Sequence, residues 1–325
     1  MIKKYWFFIG IACVMGIAFS LPDVGRFVRT YRILNMGIFV AFFLTGLSLE
    51  TSSFFKQLKN IKVLVAALVS SLIFFPVVAY FLGQYIFSTW ADFAIGTLII
   101  GVAPVTVASG TVMTAIALGN VPLSLFICVL GNFFSILTIP IMVNLMLQMG
   151  DVSIDLPALQ MLIGLTLKVV VPILMGQFLR PWLQSKIAPY AKLISIFNQS
   201  IVLLIILNAV SSSSHRIVEA GPVLFLVFLF MIGLHIFIIV ANKSISGLIG
   251  LDLPSTAAFT IHTSQKTLTI SYLVWAGYFA AEYPMALIPG IAYHLTQMIM
   301  DTFVAQWFRK RMESWRMSGM KADGK

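Results

Sequence analysis

"IHTSQKTLTI" (261–270) lies inside an apolar stretch that otherwise has the length and composition of a membrane span. It sets His262, Thr263, Ser264, Gln265, Lys266 and Thr267 in one unbroken polar run. In hydrocarbon such a run is costly unless it lines a polar cavity or packs against protein. How the chain meets that cost decides its fold.

The surroundings are oily. The 325 residues are 60% hydrophobic and 10% charged, with a mean hydropathy of +1.00. Soluble globular domains do not have that composition, so the bilayer is the expected solvent and the chain is read as polytopic. A net charge of +10 would suggest nucleic acid for a soluble protein. Here the basic residues collect between apolar stretches and report orientation, so no nucleic-acid partner is expected. Cys13 and Cys128 both fall in apolar stretches at no metal-ligand spacing. The start, "MIKKYWFFIGIACVMGIAFS" (1–20), has the layout of a signal peptide. The span count nevertheless requires this segment to remain.

Apolar windows fall at about 5–21, 33–49, 63–88, 92–118, 121–148, 158–180, 193–212, 220–241, 254–281 and 284–306. Each suits a bilayer-spanning helix of about 20 residues, some tilted or broken. Ten spans put both termini on one side. With the termini inside, the cytoplasmic segments carry fifteen Lys and Arg, and the outer loops carry four: Arg26, Arg29, Arg32 and Arg216. The positive-inside rule then predicts a multi-pass protein of the cell (inner) membrane with cytoplasmic termini and a basic tail over 309–325.

Ten divides into five and five, and an odd-numbered unit that repeats must enter the membrane from opposite sides. Both halves carry the same irregularity. "APVTVASGT" (103–111) interrupts the fourth span, with Pro104 and Gly110 loosening the helix, and 261–267 interrupts the ninth. The predicted fold class is an all-α polytopic membrane protein. Its ten transmembrane helices form two inverted five-helix repeats, and broken helices 4 and 9 cross at the midplane.

Each break starts a half-helix whose first N–H groups lack partners and carry partial positive charge. Hydroxyls at Thr106, Ser109, Thr111, Thr114, Ser124, Thr263, Ser264 and Thr267 add donors and acceptors, and Lys266 adds a full charge. Such a cavity favours an anion. All eleven acidic residues fall in loops, tails or span ends, Asp301 deepest at about one turn from the inner edge. Exchange chemistry built on buried carboxylates is therefore not expected.

Several stretches, taken in order, resemble the bile acid:sodium symporter family, closest to its sodium-bile-acid-symporter-like branch. "FFLTGLSLETSSF" (42–54) resembles the end of its second span, and "APVTVASGTVMTAIALGNVPLSLFICVLGN" (103–132) its fourth-to-fifth-span signature. "LKVVVPILMGQFLRP" (167–181) resembles the sixth span, "SQKTLTI" (264–270) the ninth and "IPGIAYHLTQ" (288–297) the tenth. The resemblance implies a panel domain at about 1–62 and 155–215, and a core domain at about 63–150 and 216–308. It also implies transport by alternating access. A family tenth-span His near the substrate cavity falls on His294.

The departures bear on coupling. Sodium-coupled members resemble a ninth-span pattern of Glu, Gln four residues later, then Asn; here these positions are Ile261, Gln265 and Lys266. The Gln five residues before the third-span Pro is Ser71 here, and the fourth-span Ser-Asn becomes Ser109-Gly110-Thr111. The fifth-span Ser and Thr become Ser124 and Cys128, and the Asn after the tenth-span His becomes Leu295. Sodium is a hard cation that wants several oxygens, a carboxylate preferably among them, by analogy with calcium. Ser109, Ser124, Ser264, Gln265 and Lys266 therefore stand as an ion site or its substitute. No cofactor is expected, and sodium coupling is read as weakened or replaced by Lys266 and protons.

The substrate-side candidates are Thr106, Ser109, Thr111, His262, Lys266, Thr267 and His294. Plainer readings stand beside them. Lys168 can snorkel to an interface, His262 can cap or pack, and Asn198, Gln199 and Asn208 can simply join helices. Trp6, Trp90, Trp275 and Trp307 read as interface anchors. The leading function is a secondary active transporter, symporter-type, for a small organic anion, bile-acid-like within the family. The alternative is a non-transporting membrane regulator that keeps the fold. No HExxH, GxSxG or paired aspartates appear, so an enzyme is not expected. The expected partners are the substrate anion and the lipid bilayer; the sequence leaves the oligomeric state open, and a monomer satisfies it.

Overall fold

The computed structural model describes residues 2–49, 61–106, 108–149 and 156–323, and every regular element among them is helical. The segments 50–60 and 150–155 lie outside the described residues, and with them the junction near 150–155 that the sequence reading draws between its core and panel domains. In chain order the helices are α1 (Ile2–Ser20), α2 (Asp23–Thr30), α3 (Ile33–Ser48), α4 (Ile61–Ile86), α5 (Ala91–Val102) and α6 (Ala108–Ile116). There follow α7 (Val121–Met149), α8 (158–187), α9 (Ala191–Ala220), α10 (Pro222–Leu248), α11 (Leu253–Ser264), α12 (Leu268–Val274) and α13 (Ile288–Asp323). Each apolar window of the sequence coincides with one helix, or with the pairs α5–α6 and α11–α12.

Among the described residues, four helical runs are long and apolar enough to cross a membrane: Ile61–Ile86, Val121–Met149, Ala158–Ala220 and Pro222–Leu248. The third, at 63 residues, far exceeds the about 20 that one span needs and is divided by a 3₁₀ turn at Ala188–Tyr190. Helices Ile33–Ser48 and Ala91–Val102 are apolar but shorter. An all-α membrane protein follows.

Proline sets the interruptions. Ala103 takes an extended conformation (φ −61°, ψ 147°), because the residue before Pro104 is pushed out of the helical region. Helix α4 widens into a π turn at Ser70–Phe74, just ahead of Pro76. The Phe75 N–H donates to Ser70 O, and Pro76 has no N–H to offer Ser71 O. At the second break Gln265 and Thr267 are both extended. Helix α11 starts cleanly: Asp252 caps it by accepting from the Ser255 N–H at 2.9 Å.

The helices pack in two groups. In one, α3 lies along α8, and α1 and α2 lie along α9. Gly46 and Gly176 let α3 and α8 approach backbone to backbone, since a Cβ on either would collide with the other helix's main chain. In the other, α10 packs on α11 and α13, and α11 packs on α6 and α7. Trp275 is corrected from interface anchor to core residue. It is 1% exposed, and its Nε1 donates to Tyr283 O at 2.9 Å. That bond satisfies the indole away from any interface.

Candidate functional site

The two breaks meet. Thr267 N–H donates across to Pro104 O at 2.9 Å, a main-chain bond that ties one interruption to the other. From the first break, Thr106 and Ser109 both donate to Gln265 Oε1 in the second, Ser109 at 2.9 Å. Each break is also braced by the helix that follows it. Asn132 of α7 donates to Val105 O at 3.1 Å. Gln297 of α13 accepts from Lys266 N–H at 2.8 Å and donates to Lys266 O at 2.9 Å. Interrupted helices leave orphan backbone groups, and here these buried amides supply the partners.

Lys266 is fully buried. Its Nζ donates to Ser71 O at 2.5 Å and Ala103 O at 2.8 Å, and it stands 4.2 Å from the Phe75 ring centroid. The geometry follows from the prolines. Pro76 frees the Ser71 carbonyl, Pro104 ends α5 at Ala103, and the ammonium takes both oxygens while the aromatic face covers its remaining side.

Gln265 turns the other way. Its Nε2 donates to Asp301 Oδ2 at 2.5 Å, while Asp301 Oδ1 meets His235 Nε2 at 2.9 Å. Both Asp301 and His235 are fully buried. The sequence reading places Asp301 at a span end and expects no chemistry built on a buried carboxylate; Asp301 is buried and bonded to Gln265. Asp301 sits near the end of an apolar window, but α13 runs on to Asp323, and its neighbours close over the side chain. A usable signal existed. His294, Gln297 and Asp301 follow at three- and four-residue steps, which places them on one face of a helix. His235, Tyr293, Asn132 and the Ser71 carbonyl carried no signal legible in the sequence.

A cavity of about 360 Å³ adjoins the crossing. One wall comes from the first helix group, with Phe7, Phe42, Thr45 and Asn198. The opposite wall comes from the second, with Thr106, Ser109, Thr267 and His294. Four of the substrate-side candidates thus face one space, whose volume is that of an ordinary small-molecule site.

Residues 5–310 match the profile of the SBF-like CPA transporter family. The chain belongs to that family. It falls within the wider bile acid:sodium symporter grouping, whose curated members include the sodium/bile acid cotransporter 7 of Xenopus tropicalis, 24% identical over 99% of this chain and 95% of that protein. The cotransporter 7 of Rattus norvegicus is 25% identical over 98% and 96% respectively. The probable sodium/metabolite cotransporter BASS4, chloroplastic, of Arabidopsis thaliana is 26% identical over 91% of this chain and 71% of its own length.

Ile261, at the Glu position, is fully buried in an apolar cluster with Ala117, Ala257, Ala305, Phe308 and Met312. Lys266 does not line the cavity, and neither do His262, Thr111, Ser124, Ser264 or Gln265. His262 Nδ1 lies 2.6 Å from Ser124 Oγ, which also accepts from Thr114 at 3.1 Å. Ser264 donates back to Ile261 O at 3.0 Å. Lys168 is exposed and lines a separate cavity with Arg29, Arg32 and Asn208.

Proposed function

We propose that the protein is a secondary transporter that moves a small organic anion by alternating access, with Lys266 standing in place of a coupling sodium ion. The observation that carries this reading is the Lys266 ammonium, held at the crossing by the carbonyls of Ser71 and Ala103. A cation between freed carbonyls is what a sodium site offers, and the tethered Lys266 amine occupies the same place. The relatives, named sodium/bile acid and sodium/metabolite cotransporters, support the substrate class.

In this reading the chain spans the membrane ten times as two inverted five-helix repeats. The bracing of each break by the next helix, Asn132 in one half and Gln297 in the other, supports the repeat. The two packing groups act as panel and core, and the cavity between them is the substrate site. Its lining from α1, α3 and α9 comes from helix ends that the charge count puts inside, which supports reading this conformation as inward-facing. Thr267, at the start of the second half-helix, receives the anionic group, and Thr106 and Ser109 turn their hydroxyls to it from Gln265 on binding, with His294 nearby. Phe7, Phe42 and Val202 take an apolar body. A bile-acid-like amphipathic anion fits both requirements.

Uptake of cholate and of shorter organic acids into proteoliposomes, with choline replacing sodium, tests the reading. Saturable uptake of one acid without sodium is expected. Uptake that requires sodium overturns the role given to Lys266, and binding without translocation across the whole set overturns transport.

A further inference from the structure

The hydrogen bonds around His235 demand more protons than a neutral imidazole and a carboxylate possess. Tyr293 OH lies 2.6 Å from Ser264 O, and a carbonyl can only accept, so the single phenolic hydrogen is committed there. His235 Nδ1 lies 2.8 Å from the same phenolic oxygen, which leaves the ring as the donor to that oxygen. On its other side, Nε2 lies 2.9 Å from Asp301 Oδ1, and a hydrogen must stand between those two atoms as well. The second Asp301 oxygen is occupied by the Gln265 amide at 2.5 Å. His235 and Asp301 together therefore hold two protons: an imidazolium facing a carboxylate, or a neutral imidazole facing a carboxylic acid. Both groups are fully buried, so no solvent satisfies the network in another way.

We infer that the buried His235–Asp301 pair is a proton-binding site, loaded in this conformation and linked through Gln265 to the anion cavity. The link is short. Gln265 donates to Asp301 with one end of its amide and accepts from Thr106 and Ser109, which line the cavity, with the other. Removing the proton leaves two hydrogens for three hydrogen bonds. One acceptor then goes without: Ser264 O at the end of the α11 half-helix, the phenolic oxygen, or Asp301. Any of these loosens the second break.

Other titratable groups around the pair are already engaged. Lys266 turns its Nζ to Ser71 O and Ala103 O, His294 Nδ1 faces Gln297 at 3.1 Å, and His262 Nδ1 meets Ser124. On α10, Lys243 Nζ stands over the Trp307 ring at 4.7 Å. Asp92 of α5 accepts from Met285 N–H at 2.7 Å, Tyr272 of α12 donates to Asn208 at 3.4 Å, and His215 and Glu219 of α9 pair with each other. None is placed to supply the missing hydrogen.

Charge balance then gives the proton a use. With Lys266 as an ammonium, the loaded pair leaves the crossing with one net positive charge, and the unloaded pair leaves it neutral. Moving net charge through a low-dielectric core is costly. The favourable forms are the core carrying a proton with one monoanion and the core carrying neither, which is electroneutral symport. This use rests on the transport reading; the proton count does not.

The test reads the proton count in the full chain, incorporated in lipid nanodiscs with ¹⁵N-labelled histidine, by NMR together with infrared spectroscopy at neutral pH. His235→Gln assigns the ring signal among the four histidines. The expected result is a ring protonated at both nitrogens, or a ring protonated at Nδ1 together with a carboxylic-acid band that Asp301→Asn removes. A His235 ring with one proton and no such band overturns the proposal. Tyr293→Phe removes the acceptor at Nδ1, and loss of the second proton is expected; its persistence also overturns the proposal. In proteoliposomes an inward proton gradient is expected to accumulate cholate without sensitivity to a potassium-valinomycin potential. Absent cholate transport alongside a two-proton pair breaks the transport reading alone, whereas a one-proton pair breaks this inference whatever the transport result.

Discussion

Gln297 brackets the peptide of Lys266. Its carbonyl accepts from the Lys266 N–H at 2.8 Å, and its amide donates to the Lys266 carbonyl at 2.9 Å. The residue whose side chain leaves the helix to hold two distant carbonyls thus has its own main chain held by a neighbouring helix. A break in a helix is tolerable in a membrane protein when each freed backbone group finds a partner. Here one glutamine supplies two.

Gln297→Leu is therefore expected to cost about 2–5 kcal/mol, since it strands one buried N–H and one buried C=O. Detergent-solubilised protein should unfold at a clearly lower temperature. A variant that unfolds with the wild type would show that other groups satisfy the Lys266 peptide.

Lys266→Met is expected to abolish anion uptake while the protein remains abundant and folded. The change strands Ser71 O and Ala103 O, at about 1–3 kcal/mol each. Removing a buried ammonium offsets much of that loss. Uptake and thermal unfolding of the same preparation check it. Normal uptake with a large fall in stability would reduce Lys266 to a structural clamp.

Gly110→Ala is expected to destabilise by about 1–3 kcal/mol, in the range of overpacked cores. A Cβ there would stand 2.6 Å from His262 Nδ1, and that ring cannot retreat without giving up Ser124. Unfolding temperature is the readout. An unchanged value would mean that His262 is free to move.

Thr106→Val keeps the shape of the cavity wall and removes a hydroxyl that donates to Gln265. On binding, the hydroxyl is expected to turn from Gln265 to the anion, so affinity for the transported anion should fall about tenfold, with expression unchanged, as one hydrogen bond in a closed site is lost. Equal affinity would place the anionic group elsewhere in the cavity.

The two ends of the chain should both be accessible from the cytoplasmic side. Fifteen basic residues against four motivate this expectation. Protease protection of tags at either terminus in inside-out vesicles checks it; a protected tag at one end only would require an odd number of spans.

The length and apolarity of the windows made the helices legible, because the bilayer imposes one demand on every spanning segment. Pro104 and the polar run at 261–267 located both breaks, since proline and clustered polar groups interrupt helices locally. Thr106, Ser109 and Thr267 are named from their place in the breaks and His294 from the family resemblance, and the four line one cavity. What the sequence could not decide is which polar group faces which. Lys266 and Gln265 are adjacent, yet one turns to α4 and α5 and the other to α13. Asp301 looked like a residue at a span edge and became the buried acceptor for Gln265 and His235, which lie 36 and 66 residues away. Ser71 matters through a carbonyl that any residue would carry, freed by a proline five positions on. Side-chain type and local spacing are written in the chain. Pairing between helices depends on how their ends cross, and only the folded structure decides it.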